Sequence, residues 1–387
     1  MKPIIVVHHH EIGLKGKNRS YFEKHLLRNV RLALRDLLPQ NNITGGYGRF
    51  IIYLTEKNQE EIIERLKKIF GLSNICFGFE TEQSIEKFIQ VAKILLKDKS
   101  FNTIKVHASR ADKNFPLNSM QINSEVGKFL CDRFKVRANL SQPDITIYIE
   151  LANKLAYIYL SKIEGAGGLP AGISGRVVSL ISAGFDSPVA SYKLMKRGAY
   201  IIFVHFHSYP YVSNSSIEQV QSIVKKLTSY QFYSKLYLVP FAECQKEIVL
   251  KTDQKLRVIL YRRMMIRVAE KIAEMEKANA LVTGEALGQV ASQTLQNIKV
   301  IDAVSNLPIL RPLIGSDKEE IIKVANLIGT YEISKEPYDD CCSFLNPKNP
   351  ETWADYNEVL NAEKNLNIDE MLKSLIESLE KKEFKYP

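Results

Sequence analysis

The run Ser182-Ala-Gly-Phe-Asp-Ser-Pro188 has the residue types of a phosphate cradle. Gly184 lets backbone approach a ligand, and Ser187 as N-cap with Pro188 at the first helical position would aim a helix's free N–H groups at the turn. Helix N-termini of this kind bind phosphate. Ser182 and Ser187 can add hydroxyl donors, and Asp186 can hold Mg²⁺ or fix the loop. The plainer alternative is a capped strand-to-helix turn with no ligand. Neither GxxxxGK[ST] nor GxGxxG occurs, so this is neither a Walker-type loop nor a dinucleotide fingerprint. Two adjacent thiols, Cys341 and Cys342, lie in YDDCCS after Pro337. In a core they would only fill space. In a loop near bound phosphate and basic groups, a partly ionised thiol can accept sulfur as a persulfide. Lys318, in SDKEE, is either a solvated helix start or a cation that neutralises a departing anion.

Positioning these groups falls to the flanking elements. Apolar runs predict strands at 177–181, 201–205, 236–239 and 281–283, separated by helical patterns, which is the alternation of a doubly wound parallel sheet. The serine-rich turn then stands at the carboxyl end of the first of these strands, where open α/β sheets hold ligands. Ile368, Met371, Leu372, Leu375, Ile376 and Leu379 fall at helical spacing, so a C-terminal helix should lay one apolar face on the body of the protein. Upstream, periodicity predicts strands at 4–7, 50–54 and 155–160 and near Ile104 and Ile145. Helical patterns run over about 21–38, 62–70 and 85–96. Small α+β modules are implied before residue 165. The segment 165–175, GAGGLPAGISG, concentrates Gly and Pro and reads as a domain boundary.

A chain of 387 residues exceeds one average domain, and an apolar share of 45% suffices for packed cores. No stretch approaches the roughly twenty apolar residues of a membrane span. The N-terminal apolar run is too short for a signal peptide, so a cytoplasmic protein is expected. Five cysteines without CxxC spacing suit neither a disulfide framework nor a four-thiolate zinc site. The net charge of +10 points to a polyanionic partner or serves solubility. Within the first fifty residues nine basic side chains face three acidic ones, so the N-terminal segment is the basic part. His8, His9 and His10 read as surface or RNA-facing, because adjacent strand residues alternate faces and cannot all meet one metal ion.

SxGxDS after a strand resembles the signature of the PP-loop ATP pyrophosphatases, which cleave ATP between its α and β phosphates. GGLPAGISG, VHFHSYP, YRRMMIRVAEKIA, TGEALGQVASQTLQNI, RPLIGSDKEEII, YDDCCSFLNPKNP and the opening EIGLKGKNR resemble the tRNA 4-thiouridine synthetases over nearly the whole chain. That resemblance implies an α/β protein with a ferredoxin-like domain (1–56), a THUMP RNA-binding domain (57–165), a linker (166–175) and a Rossmann-like PP-loop domain (176–387). It implies ATP contacts from Leu180, Ile181, Ser182, Gly184, Ser187, His205, Phe206, Arg262, Gly284 and Gln293. Catalytic roles fall to Asp186, Lys318 and Cys342, and RNA contacts to Lys15, Lys17 and Arg19. The implied cofactors are ATP and Mg²⁺. The implied partners are tRNA, a cysteine desulfurase or other sulfur donor, and a second copy of the chain as a homodimer. The implied reaction adenylates the C4 oxygen of the uridine at position eight and replaces it with sulfur, with a second role in sulfur supply for the thiamine thiazole.

Several features depart from the family pattern. Ala183 stands where most members have Gly, at a cost on the order of 1 kcal/mol if the position needs a positive φ. His8 to His10 replace the usual Arg-Tyr. Cys341 falls where some relatives have Ser, and the rhodanese domain of longer members is not recognised here, which leaves the sulfur donor open. Two competing functions follow: a non-catalytic THUMP tRNA-binding protein whose loop has degenerated through Ala183, and an amidotransferase-like ligase acting on a small acid. The basic N-terminal half argues against the ligase.

Overall fold

The computed structural model describes residues 1–46, 48–55, 58–338, 345, 347 and 349–387. The chain divides into two compact units, Met1–Leu169 and Pro170–Pro387.

The first unit is built on one sheet. Its strands are β1 (Lys2–His8), β2 (Ile43–Gly46), β3 (Arg49–Tyr53), β4 (Asn74–Glu82), β5 (Thr103–Arg110), β6 (Arg137–Ala138), β7 (Ile145–Ala152), β8 (Leu155–Tyr159) and β9 (Ile163–Glu164). They lie in the order β2-β3-β1-β4-β8-β7-β5-β6, with β9 on β4. β1 pairs antiparallel on both sides, Val6 facing Ile51 and Cys76. Helices Ile85–Leu96 and Ser119–Phe134 lay Phe88, Val91, Ile122, Val126 and Leu130 on Ile104, Val106, Ile147 and Ile149. The helix expected to reach Leu38 ends at Ala33, where turns take over.

The triple histidine differs from the surface reading. His9 is buried and its Nε2 lies 3.0 Å from Glu23, while His8 Nε2 lies 3.0 Å from Glu150; only His10 is exposed. Burial alone would raise the Glu150 pKa, but His8, Arg49 at 2.7 Å and the Tyr159 hydroxyl hold it down at about 2. Strand alternation explains the split: His8 joins the polar network of one sheet face, and His9 turns to the other.

In the second unit β10 (Arg176–Leu180), β11 (Tyr200–His207), β12 (Tyr233–Pro240), β13 (Leu281–Val282) and β14 (Ile309–Leu310) run parallel in the order β14-β13-β10-β11-β12. The chain steps outward from β10 to β12, then returns to lay β13 on the other side of β10. The strand order therefore reverses between β10 and β13, and such a switch point opens a crevice at the strands' carboxyl ends. A sixth strand, β15 (Glu380–Lys385), adds antiparallel to β12. Helix Ile368–Glu377 buries Met371 and Leu375, as its apolar spacing requires. Helix Arg257–Glu276 runs through the core and carries Arg263, 1% exposed, which forms a two-pronged ion pair with Glu363 at 2.9 and 2.7 Å.

Candidate active site

The crevice at the switch point is a cavity of about 270 Å³. β10 supplies Leu180, Ile181 and Ser182 at its end, β11 supplies His205 and Phe206, and the segment after β13 supplies Thr283, Gly284 and Glu285. All ten residues expected to contact ATP line this one cavity, and Asp186 joins them. Met265, Gln289, Val290 and Tyr338 complete the wall, and none of these was singled out from the sequence.

The loop after β10 is braced from within. Helix Asp186–Lys196 begins two residues before the expected start, with Phe185 at the N-cap position, so Ser187 is not the cap. Its hydroxyl turns back instead, accepting the Ser182 N–H at 2.8 Å and lying 3.1 Å from Ser182 Oγ. A buried chain continues below it, Ser191 Oγ donating to the Ser187 carbonyl at 2.9 Å and meeting Ser179 Oγ at 2.9 Å. Ser187 therefore shapes the loop, leaving the first-turn N–H groups to face the crevice. Ala183 has no positive φ and its methyl is fully buried, so the replacement of glycine there costs no backbone strain. Gly284, which lines the cavity, also has a packing role: a Cβ on it would sit 2.5 Å from the Ser187 nitrogen and 2.7 Å from its Cα. The close approach it permits is that of the helix N-terminus itself.

Charge is arranged in two sets. Glu285, 3% exposed, takes Arg262 at 3.2 Å and Arg311 at 2.7 Å, and its other support is the Thr283 hydroxyl at 2.8 Å. Burial pushes its pKa up, but the two guanidinium groups and that hydroxyl outweigh it and hold it below the ordinary glutamate value. Arg311 is gripped in turn by Asp302 at 2.8 Å. Arg262 is thereby held at the cavity wall as a fixed cation. The second set joins two residues far apart in sequence: Lys318, the first residue of helix Lys318–Ile328, places Nζ 2.9 Å from Asp186 Oδ1, while Gln289 donates to Oδ2 at 3.1 Å. Lys318 also lies 5.3 Å from the Phe185 ring centre. It does not line the cavity but reaches the loop through Asp186.

His205 Nδ1 lies 3.0 Å from the Ile181 carbonyl, tying the ends of β10 and β11 together. Gln293 is 7% exposed, and its Oε1 has no hydrogen-bond partner among the described residues. A buried carbonyl oxygen left this way on a cavity wall is an acceptor waiting for a ligand's donor. Among the described residues no group of three or more His, Cys, Asp or Glu could hold a metal ion. Cys341 and Cys342 lie outside the described residues. Lys15, Lys17 and Arg19 belong to the first unit, gathered at the start of helix Arg19–Ala33; Lys17 is exposed, Arg19 pairs with Glu23 at 2.8 Å and Lys15 lies 3.8 Å from Glu11.

Three family models match the chain: thiamine biosynthesis protein (ThiI) over residues 172–368, the ThiI ferredoxin-like domain over 4–76 and the THUMP domain over 82–161. A probable tRNA sulfurtransferase of Moorella thermoacetica is 43% identical over 97% of this chain and 96% of its own length. Another, of Caldanaerobacter subterraneus subsp. tengcongensis, is 41% identical over 98% of this chain and 99% of its own. The crystal structure of a 4-thiouridine synthetase–RNA complex with bound ATP superposes with a TM-score of 0.92 at 36% identity, covering 100% of both chains. A PP-loop-type crevice of this geometry, a full-length fold match and relatives of one kind lead to one conclusion: the chain belongs to the ThiI family of tRNA sulfurtransferases.

Proposed function

We propose that the protein uses ATP to convert the uridine at position eight of tRNA to 4-thiouridine. The observation that carries the reading is the convergence of the strand-end backbone of β10 and β11, the braced serine loop, Arg262 and Gln293 on one crevice. Uridine's C4 oxygen is a poor leaving group, and adenylation removes that obstacle. The C4 oxygen attacks the α-phosphorus of ATP, the bond to the bridging oxygen breaks, and pyrophosphate leaves toward the loop. A sulfur nucleophile then adds at C4, and the C4–O bond breaks to release AMP. The protein's contribution is positioning and neutralisation of charge. Gln293 offers an acceptor to the adenine amino group, Arg262 stands as a permanent cation, and Lys318 can follow the developing negative charge once Asp186 is otherwise engaged. A Mg²⁺ carried by the phosphates would find its protein carboxylate in Asp186, since Mg²⁺ commonly takes one or two carboxylates plus substrate oxygens; it would neutralise phosphate charge.

Cys342 is proposed to carry the sulfur as a persulfide, loaded by a cysteine desulfurase or another donor. The same relay would supply the thiamine thiazole, in keeping with the family's description. Lys15, Lys17 and Arg19 of the basic first unit are the proposed RNA contacts, and a homodimer in which one subunit holds the RNA that its partner modifies is the proposed assembly. No helix among the described residues is long and apolar enough to cross a membrane. Cytoplasm, where tRNA is modified, is the proposed location. The rival reading, a THUMP protein with a degenerate loop, loses its physical basis because Ala183 imposes no strain.

The experiment is to incubate the purified protein with ATP, Mg²⁺ and unmodified tRNA and to measure AMP, pyrophosphate and, by nucleoside mass spectrometry, 4-thiouridine. AMP and pyrophosphate should form only with tRNA present. Cys342→Ser should still form them, fail in desulfurase-driven thiolation, and recover 4-thiouridine with free sulfide. Equal ATP turnover without RNA would sink the adenylation reading.

A further inference from the structure

We infer that Arg311, which does not line the crevice, is a positioning residue for ATP binding: with Asp302 it fixes Glu285, and through Glu285 it sets the place of Arg262 on the crevice wall. This rests on the ATP reading above. The four side chains come from four parts of the second unit. Asp302 ends helix Leu295–Asp302, Arg311 follows β14, Glu285 follows β13, and Arg262 stands on helix Arg257–Glu276. The Arg311 guanidinium takes both oxygens of Asp302, at 2.8 and 2.5 Å, while its Nε donates to Glu285 Oε2 at 2.7 Å. The Thr283 hydroxyl donates to the same Oε2 at 2.8 Å. Arg262 therefore meets the other oxygen, Oε1, at 3.2 Å.

This division of the carboxylate sets the place of Arg262. A guanidinium prefers to take both oxygens of a carboxylate in a planar fork. With Oε2 engaged by Arg311 and Thr283, Glu285 offers Arg262 one oxygen only. Without Arg311 the carboxylate can turn and take Arg262 by both, which draws the cation along the wall from its present position. Stability does not account for the arrangement. Glu285 is 3% exposed and the Arg311 side chain 10%, and taking such charges out of water offsets most of what their attraction contributes. What the chain of charges supplies is placement. It also reaches a second ATP contact expected in the crevice. Gln293 stands just before helix Leu295–Asp302, whose last residue is the Asp302 that grips Arg311. One short helix thus registers Gln293 at its start and, through three successive ion pairs, Arg262 at its end.

A double-variant cycle on the full chain, read by calorimetry with Mg-ATP, tests this. Arg311→Met should weaken ATP about tenfold, and Arg262→Met by at least as much. In the Arg262→Met background Arg311→Met should add less than about twofold, because it acts through the side chain already removed. Asp302→Asn loosens the grip while keeping both guanidinium groups; it should weaken ATP about threefold in the parent and leave the affinity of Arg262→Met unchanged. This milder variant carries the test if Arg311→Met does not fold. An ion pair that served stability alone would lower the melting temperature and leave the cycle additive. The inference is overturned if Arg311→Met or Arg262→Met binds Mg-ATP as the parent does, if their losses multiply, or if the Asp302→Asn loss is absent or persists without Arg262. A parent protein that binds no ATP at all would instead refute the functional reading on which the inference stands.

Discussion

Gly284→Ala adds a single methyl group, and the structure says where it lands. Its carbon would meet the Ser187 nitrogen at 2.5 Å, Ser187 Cα at 2.7 Å and the Asp186 carbonyl carbon at 2.8 Å. All three are backbone atoms at the start of the helix that carries the phosphate loop, so no flexible side chain can yield. With ordinary contact beginning at 3.4 Å, the helix start must retreat by about 0.9 Å. Overpacking of this sort costs about 1–3 kcal/mol in stability. Its effect on the site is larger, because a shift of about 1 Å in a positioning element can lower a rate about a hundredfold. The assay is tRNA-dependent AMP formation alongside thermal melting. Gly315→Ala is the control, because that position has open space around it and no positive φ. Gly284→Ala should melt several degrees lower and lose at least tenfold in rate, while Gly315→Ala stays near the parent. Full activity in Gly284→Ala would refute the claim that this contact sets the loop.

Other expectations follow from the ion pairs. Asp186→Ala and Lys318→Met should each slow AMP formation at least tenfold while changing stability little, since an exposed pair of this kind contributes about 0–1 kcal/mol; unchanged rates would remove both from the mechanism. Glu363→Ala leaves Arg263 buried without its carboxylate and should cost about 3–5 kcal/mol in a denaturant titration, and a loss under 1 kcal/mol would contradict the burial argument. Glu150, held at about 2 against an ordinary 4.5, stabilises the folded state above pH 4.5, and that contribution, at most about 3 kcal/mol, fades as pH falls toward 2. Acid titration of Glu150→Gln should lack that component, and an identical acid transition in parent and variant would show that the carboxylate contributes nothing.

What could be read from the sequence follows from how local each signal is. β10, β11 and β12 are apolar runs bounded by polar turns, and a parallel sheet brings their carboxyl ends together whatever the intervening helices do. That is why residues as distant as Ile181, His205 and Gly284 fall on one wall. Ser187 suits a cap position by its type alone; the structure spends the hydroxyl on Ser182 instead, a choice made by the turn's three-dimensional path. Glu285 and Arg311 read as ordinary polar residues, since nothing local reveals that 26 positions apart they share one ion pair. β15 was missed for another reason. Its sequence, EKKEFK, has no alternating apolar face, as befits an edge strand guarded by charge. Helix Ser119–Phe134 left a sparser trace, with Ile122, Val126 and Leu130 spaced by four and a capping box between Asn118 and Gln121. Its apolar stripe is only one residue wide per turn, too thin to stand out among polar neighbours.

The pairing of β15 with β12 carries a consequence for how the protein is made. Tyr233 to Leu238 wait for partners at 380–385, so the edge of the catalytic sheet lies open while some 140 further residues are synthesised. At the usual pace of translation, about 5–20 residues per second, that delay is roughly 7–30 seconds. The first unit closes its sheet within Met1–Leu169, where β4 waits about half as long for β8. During the interval the nascent second unit presents the unpaired N–H and C=O groups of β12 to any other strand nearby. The Lys and Glu of β15 cannot guard that edge until they arrive, which makes the pairing of this strand the step at which a growing chain ceases to be vulnerable to its neighbours.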